Sequence, residues 1–230
     1  MKVLLVGSGG REHALAWKLS QAPSLDELHA APGNPGIASL GQCHPVHPQD
    51  GEGLLHLAGA LDADLVVVGP EAPLVAGVAD ELRHAGVPVF GPSSEAARIE
   101  GSKTFAKAVM REAGVPSAES LSIARAPCVI KADGLAAGKG VFICRDQREL
   151  DSALAAAHAF GDSIVIEELL EGEEISVFAL CDGVRALALP AVQDFKRVEE
   201  GDEGPNTGGM GSFSPIPGLG AAEIEELLDA

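Results

Sequence analysis

A chain of 230 residues, 46% of them hydrophobic, has enough apolar material for one large folded domain or two modest ones, which excludes a disordered segment. Its formal charge of −18 repels DNA, RNA and anionic membrane surfaces, and 3% aromatic residues with no Tyr leave little to stack on bases. No nucleic acid and no membrane partner are therefore expected. A phosphate ligand stays open, because a few Lys, Arg and backbone N–H groups make a local positive site inside an acidic protein.

The chain opens with a short apolar run, Val3–Val6, that enters glycines too soon for a signal peptide and reads as a buried strand. No apolar run reaches the length of a membrane span, so a cytoplasmic protein is expected. A helical pattern follows over Glu12–Gln21, then a strand at Leu65–Val68, a helix over Leu74–His84 and a strand at Val87–Phe90. Strands alternating with helices predict an α/β fold: a doubly wound parallel-sheet, Rossmann-like domain over residues 1–100. Gly91-Pro92-Ser93 is a break. Helices are expected at Ser94–Ile99 and Ser102–Glu112, the second capped by Ser102.

Beyond Gly114-Val115-Pro116 the pattern changes. Strands at Cys128–Lys131, Val141–Cys144, Ser163–Glu167 and Ile175–Cys181 flank one helix, Gln147–Ala159. That order is an α+β unit, expected over 101–230 with a small subdomain at about 117–185. A Gly-rich stretch, Gly201–Gly220, precedes an acidic helix, Ala221–Ala230. The cysteines (Cys43, Cys128, Cys144 and Cys181) form no C-x-x-C pair and read as reduced core residues of a cytosolic protein. Cys43, His44 and His47, in a Pro-broken loop, come nearest to a metal cluster, and no metal site is assigned.

Four segments carry candidate chemistry. Gly7-Ser8-Gly9-Gly10-Arg11-Glu12 follows a strand and opens a helix, a place for an anion. A dinucleotide is disfavoured, because Glu12 stands at the third glycine of the fingerprint and His29-Ala30-Ala31 ends the second strand without an acid. Another ligand's phosphate, or a turn that needs glycine, remains. Lys131-Ala132-Asp133-Gly134-Leu135-Ala136-Ala137-Gly138-Lys139-Gly140 lies between two strands and departs from the Walker A spacing, with Gly140 where Ser or Thr would stand. It suits a lid over a triphosphate, with Lys131 and Lys139 as the flanking cations. Ile164–Glu174 runs an apolar strand into acids; a strand edge there can bond adenine and an acid can hold a ribose, or the acids are simply solvated. Gln193–Arg197 and Gly204–Gly211 read as a loop whose backbone can approach a ligand, or as a linker.

Together the strings GSGGREHALAW (Gly7–Trp17), APGNPG (Ala31–Gly36), GPEAPLVAG (Gly69–Gly77), EGSKTFAK (Glu100–Lys107), VIKADGLAAGKG (Val129–Gly140) and GPNTGGMG (Gly204–Gly211) resemble the glycinamide ribonucleotide synthetases, the phosphoribosylamine–glycine ligases of the ATP-grasp superfamily. The resemblance implies a pre-ATP-grasp domain followed by an incomplete ATP-grasp domain. It also implies ATP-dependent joining of glycine to 5-phosphoribosylamine through glycyl phosphate, in purine biosynthesis. Lys103, Lys131, Gly134, Gly138 and Gly140 would then serve the ATP phosphates, with Lys131 and Lys139 as catalytic cations. Glu167, Glu168, Leu169 and Leu170 would line the adenine site and Glu174 would hold the ribose. Gly9, Gly10, Arg11, Glu71, Asn206, Thr207, Gly208, Gly209 and Met210 would shape the phosphoribosylamine and glycine side. Family members extend further and carry their Mg²⁺ or Mn²⁺ ligands there, so none is expected among these residues. Pro116–Pro127 and Ala159–Ser163 are shorter than in the family, and Phe195 stands where His is usual. Three readings follow: a truncated ligase, a nucleotide- or phosphate-binding module without ligase activity, and half of a split enzyme whose partner chain supplies the remainder.

Overall fold

A strand with four successive apolar residues has to be covered on both faces, and Lys2–Gly7 (β1), which carries Val3–Val6, is placed accordingly. In the computed structural model, which describes residues 1–136, 139–161, 163–201 and 203–229, Val3, Leu4, Leu5 and Val6 are at most 1% exposed. The side chains of residues 203, 205, 206, 208, 221 and 227–229 also lie outside that description. The chain divides into two units, Met1–Gly101 and Ser102–Ala230.

In the first unit β1 is followed by Gly10–Leu19 (α1), Glu27–Pro32 (β2), Gln42–Cys43 (β3), Gly51–Leu61 (α2) and Leu65–Val68 (β4). Glu71–Val75 (α3), Val78–His84 (α4), Val89–Phe90 (β5) and Ser94–Gly101 (α5) complete it. The sheet is parallel in the order β3-β2-β1-β4-β5. Leu4 and Val6 point to one side, where they meet Leu54, Val78, Leu82 and Ala97 from the helices α2, α4 and α5. Val3 and Leu5 point to the other and meet Ala16 of α1 and Ile37. This is the doubly wound arrangement expected from the alternation of elements.

Two local departures have physical causes. The helix expected over Leu74–His84 is split, because Gly77 takes φ 91°, a left-handed conformation that ends α3 and opens α4. Helix α2, with three glycines in Gly51–Leu61, shows no helical signal in the sequence. It forms because Asp50 caps it, accepting from Gly53 N–H at 2.9 Å, and because Leu54 and Ala58 are buried against the sheet.

The second unit starts with Lys103–Ala113 (α6), capped by Ser102, whose hydroxyl accepts from Phe105 N–H at 3.2 Å. Cys128–Ala132 (β6), Val141–Cys144 (β7) and Ile164–Glu167 (β8) form an antiparallel sheet in the order β7-β6-β8. Gln147–Ala157 (α7) covers one face, packing Leu150, Ala153 and Ala157 on Cys128, Ile130 and Cys144. Two hairpins follow, Ala179–Cys181 (β9) with Ala186–Ala188 (β10), and Gln193–Glu199 (β11) with Glu203–Phe213 (β12); Ala221–Asp229 (α8) comes last.

The hairpin β11–β12 corrects the expectation of a loop over Gly204–Gly211. Those glycines are in a strand paired with Gln193–Glu199, and the register shifts between Phe195 and Arg197 and again between Arg197 and Glu199. Glycines in a strand accompany such irregular pairing. The strand expected over Ile175–Cys181 is shorter, since only Ala179–Cys181 joins a ladder while Ser176 makes an isolated bridge to Val192. Of the cysteines expected in the core, Cys128 and Cys144 are buried, but Cys43 is half-buried and Cys181, at the end of β9, is exposed, which corrects that expectation. Burial pushes the Cys144 thiol up to about 11, which leaves it inert. Among the described residues, no helix is long and apolar enough to cross a membrane.

Leu4→Ala is expected to destabilise the first unit by about 3 kcal/mol, through lost burial and the cavity left between α2 and α4. Trp17→Ala, at a site 57% exposed, should cost less than about 1 kcal/mol. Urea unfolding of the two variants beside the parent checks this.

Candidate functional site

The antiparallel register of β6 and β8 sets Val129 opposite Glu167 and Lys131 opposite Val165. Side chains alternate along a strand, so Lys131 and Glu167 share the face opposite the one that α7 covers. Glu167 is 5% exposed and carries its carboxylate into that interior. Its Oε2 meets Lys131 Nζ at 2.5 Å and its Oε1 meets Lys107 Nζ, from α6, at 3.0 Å. Burial pushes the Glu167 carboxyl up, but the hydrogen bonds and charges of Lys131 and Lys107 outweigh it and hold the group below its ordinary value. Glu167 is therefore an anion that fixes two ammonium groups, a part the sequence did not reveal because both partners lie far away along the chain.

The Gly/Ala segment after Lys131 is tied down at its first turn. Asp133 Oδ1 accepts from Lys103 N–H at 2.6 Å, Gly134 N–H at 3.0 Å and Thr104 N–H at 3.4 Å, while Ser102 Oγ donates to Oδ2 at 3.3 Å. The carboxylate thus sits on the N-terminus of α6, where unpaired N–H groups and the helix dipole favour negative charge. Lys103 Nζ donates to Gly134 O at 2.9 Å, so this expected phosphate ligand also holds the segment's backbone. The segment closes on itself through Ala132 N–H to Gly140 O at 2.8 Å and Lys139 N–H to Ala136 O at 2.9 Å. Gly140 is buried; Gly138 lies outside the described residues. Lys139 is exposed and lines a cleft of about 580 Å³ with Val141, Arg145, Arg148 and Arg197. Lys131, on the strand before the segment, is held instead by Glu167.

Glu168, expected at an adenine edge, is partly engaged: its N–H donates to Glu119 O at 3.0 Å and its Oε1 accepts from Glu119 N–H at 2.8 Å. Leu121 N–H bonds Ile166 O at 2.9 Å, so the stretch 119–121 lies along β8. Leu169 follows β8, and Leu170 is 64% exposed. Glu174 pairs with Lys196, which also lies 3.6 Å from Asp194. The hydrogen bond that Lys196 donates to Glu174 raises the ammonium above its ordinary value. Thr207 Oγ1 donates to Lys196 O at 2.8 Å and accepts from Gly209 N–H at 3.0 Å. Met210 is exposed, the backbone of Asn206 pairs with Arg197, and the side chain of Asn206 and the surroundings of Gly208 lie outside the description.

In the first unit the expected substrate-side residues gather at the C-terminal ends of β1, β2 and β4, the end at which parallel sheets present ligands. Arg11 Nη1 donates to Gly69 O at 3.1 Å and lies 3.4 Å from a Glu71 oxygen. Glu12, only 3% exposed, turns back so that its carboxylate accepts from Gly9 N–H at 2.6 Å. A Cβ at Gly69 would come within 2.5 Å of Glu12, so that glycine is required by close approach. With its own carboxylate at the N-terminus of α1, the Gly9-Gly10 turn is unsuited to a dinucleotide's diphosphate. Asn34 joins this group, donating to Ser8 O at 2.9 Å and accepting from Ile37 N–H at 2.9 Å. It was missed as a contributor, although it lies within the APGNPG string.

Burial raises the Asp133 carboxyl, but hydrogen bonds from Thr104, Lys103 and Ser102 outweigh it and leave it lowered from 3.8. A carboxyl depressed in the folded state adds stability above its unfolded value, and that stability is lost as pH falls through the folded value. Asp133→Asn is expected to cost the second unit about 1 kcal/mol at pH 7, in line with the loss of a helix cap. The gap to the parent should close below pH 3.8, as thermal melts across pH will show.

The family profile described as phosphoribosylglycinamide synthetase, N domain, matches residues 1–100, and that of the ATP-grasp (A) domain of the same synthetase matches residues 101–230. The chain is 53% identical to the phosphoribosylamine–glycine ligase of Streptomyces coelicolor, covering 100% of this chain and 57% of that relative. It is 49% identical to the enzyme so named in Rhizobium meliloti, covering 99% of this chain and 58% of the relative. The crystal structure of phosphoribosylamine–glycine ligase from Thermotoga maritima superposes with a TM-score of 0.80 at 36% identity, over 100% of this chain and 60% of that one. The chain thus spans less than two thirds of the length of these relatives. Both units, with their glycine-rich turns and the Lys131 segment, place the chain in the phosphoribosylglycinamide synthetase family.

Proposed function

We propose that the chain forms the ATP-holding part of an enzyme that joins glycine to 5-phosphoribosylamine. The observation that carries this reading is Lys131: its ammonium is held by Glu167 on the face away from α7, directly before a Gly/Ala segment staked to α6. A fixed cation beside a glycine-rich segment is what a transferring phosphoryl group needs, since such transfer calls for positioning and charge neutralisation more than for a protein nucleophile. The first unit contributes the Gly9–Arg11 turn, Glu71 and Asn34 for the phosphoribosylamine side.

In the proposed reaction a glycine carboxylate oxygen attacks the γ-phosphorus of ATP and the bond to ADP breaks, giving glycyl phosphate. The amine of phosphoribosylamine then attacks the acyl carbon, phosphate leaves with the electron pair, and the nitrogen loses a proton to give the amide. Lys131 balances charge on the polyphosphate, Lys103 and Asp133 hold the segment that covers it, and Leu169 and Leu170 border the base. For a divalent metal, among the described residues no group of three or more His, Cys, Asp or Glu side chains comes together to hold one, and no step is assigned to it here. A nucleotide-binding module that does not ligate is the second reading, because Lys131 and its glycine-rich segment would hold a phosphate whether or not ligation follows.

Lys131→Ala is expected to weaken ATP binding about ten- to a hundredfold, the worth of one charged hydrogen bond. Unchanged affinity by calorimetry would count against the assignment. The two readings separate in an ADP-release assay with glycine and freshly generated phosphoribosylamine. The assay is run with the 230-residue chain alone and with a polypeptide covering the remaining length of the Streptomyces relative. Release that needs the added polypeptide supports ligation; none in either arm, with ATP bound, supports the module.

A further inference from the structure

Lys107 is not among the expected site residues, yet its side chain is only 14% exposed and its ammonium has two partners. Nζ lies 3.0 Å from Glu167 Oε1 and donates to Ala118 O at 2.5 Å. Ala118 begins the stretch whose Glu119 and Leu121 bond along β8. Lys107 therefore reaches from α6 to both the buried carboxylate and the segment bordering it.

The charges explain why this matters. Glu167 is one anion shared by two cations, so the cluster keeps a surplus of one positive charge. A buried carboxylate with a single lysine would spend its whole charge on that lysine. We propose that Lys107 is a positioning residue for nucleotide binding: by occupying one oxygen of Glu167 it holds the carboxylate's rotamer and leaves Lys131 with charge to offer a polyphosphate. This rests on the reading of Lys131 as a phosphate contact, and it adds a residue two elements away that sets that contact's strength. The charged groups facing the cluster are Lys107 from α6, Lys131 from β6 and Glu167 from β8; Glu119 and Glu168 bond each other alongside.

The test uses the whole chain and three substitutions. In Lys107→Met, ATP and ADP affinity by calorimetry is expected to fall roughly tenfold or more, since a unit charge a few ångströms away is lost. Adenosine, which has no phosphate, should bind as to the parent. Lys107→Arg keeps the cation and should restore most of the loss. In a Glu167→Gln background, Lys107→Met should change ATP affinity by less than about twofold, because the intermediary is gone. An equal loss in both backgrounds, or an equal loss for adenosine, would overturn the proposal in favour of direct contact or general damage.

A second readout needs no nucleotide. With Lys107 gone, both oxygens of Glu167 are left to Lys131 and hold its amine more tightly, so competitive acylation of Lys131, read by mass spectrometry, should slow several-fold. An unchanged rate would overturn the positioning role. If the parent itself fails to bind ATP, the nucleotide reading fails while the acylation result still decides whether Lys107 controls Lys131.

Discussion

A carboxylate taken out of water has to be matched by cations, and Glu167 imposes that demand on the second unit. At 5% exposure it would be strongly destabilising with no cation beside it, because a buried charge without a partner loses its hydration and gains nothing in return. The two lysines that answer it arrive from different elements, Lys131 along β6 and Lys107 from α6. One helix and two strands are thereby locked around a single side chain. The same contacts fix Lys131 in direction, and on the proposed reading that direction readies it for a phosphate.

Asp133 performs a related service one turn further on. It sits on the N–H groups that open α6, and it shares Gly134 with Lys103, whose ammonium takes the carbonyl while Asp133 takes the N–H. Two neighbouring acids thus use opposite partners: Glu167 collects side-chain cations, whereas Asp133 collects backbone donors. Both bind β6 and its following segment to α6, so the start of the glycine-rich turn cannot drift from the lysine before it. In the first unit Glu12 plays the corresponding part, folding back on Gly9 and requiring glycine at position 69. In each unit an acid of the chain itself takes up helix N-terminal donors and shapes what remains for a ligand.

Much of the fold was legible in the sequence where burial is two-sided or a cap is local. Val3–Val6 reads as a central strand because nothing polar interrupts it, and Ser102 announces the helix it caps. Helix α2 was not legible, since its glycines speak against a helix and only the burial of Leu54 and Ala58 overrides them. Nor was β12, whose glycines look like a loop until the pairing strand Gln193–Glu199 is present. At the site, Lys131 and its glycine-rich segment stood out by composition. The use of Glu167 as an anchor, and of Lys107 at all, depended on contacts between distant parts of the chain that no local pattern carries. Lys139 also stood out by its place at the end of that segment, and it is exposed at a cleft with Arg145, Arg148 and Arg197.

The most direct measurement is a crystal structure of the chain with a non-hydrolysable ATP analogue. A polyphosphate oxygen is expected within about 3 Å of Lys131 Nζ, the spacing of a charge-assisted hydrogen bond, with Glu167 still joined to Lys107 and the 134–140 segment over the phosphates. A nucleotide seated elsewhere, with Lys131 held wholly by Glu167, would contradict the assignment of Lys131 to the phosphates.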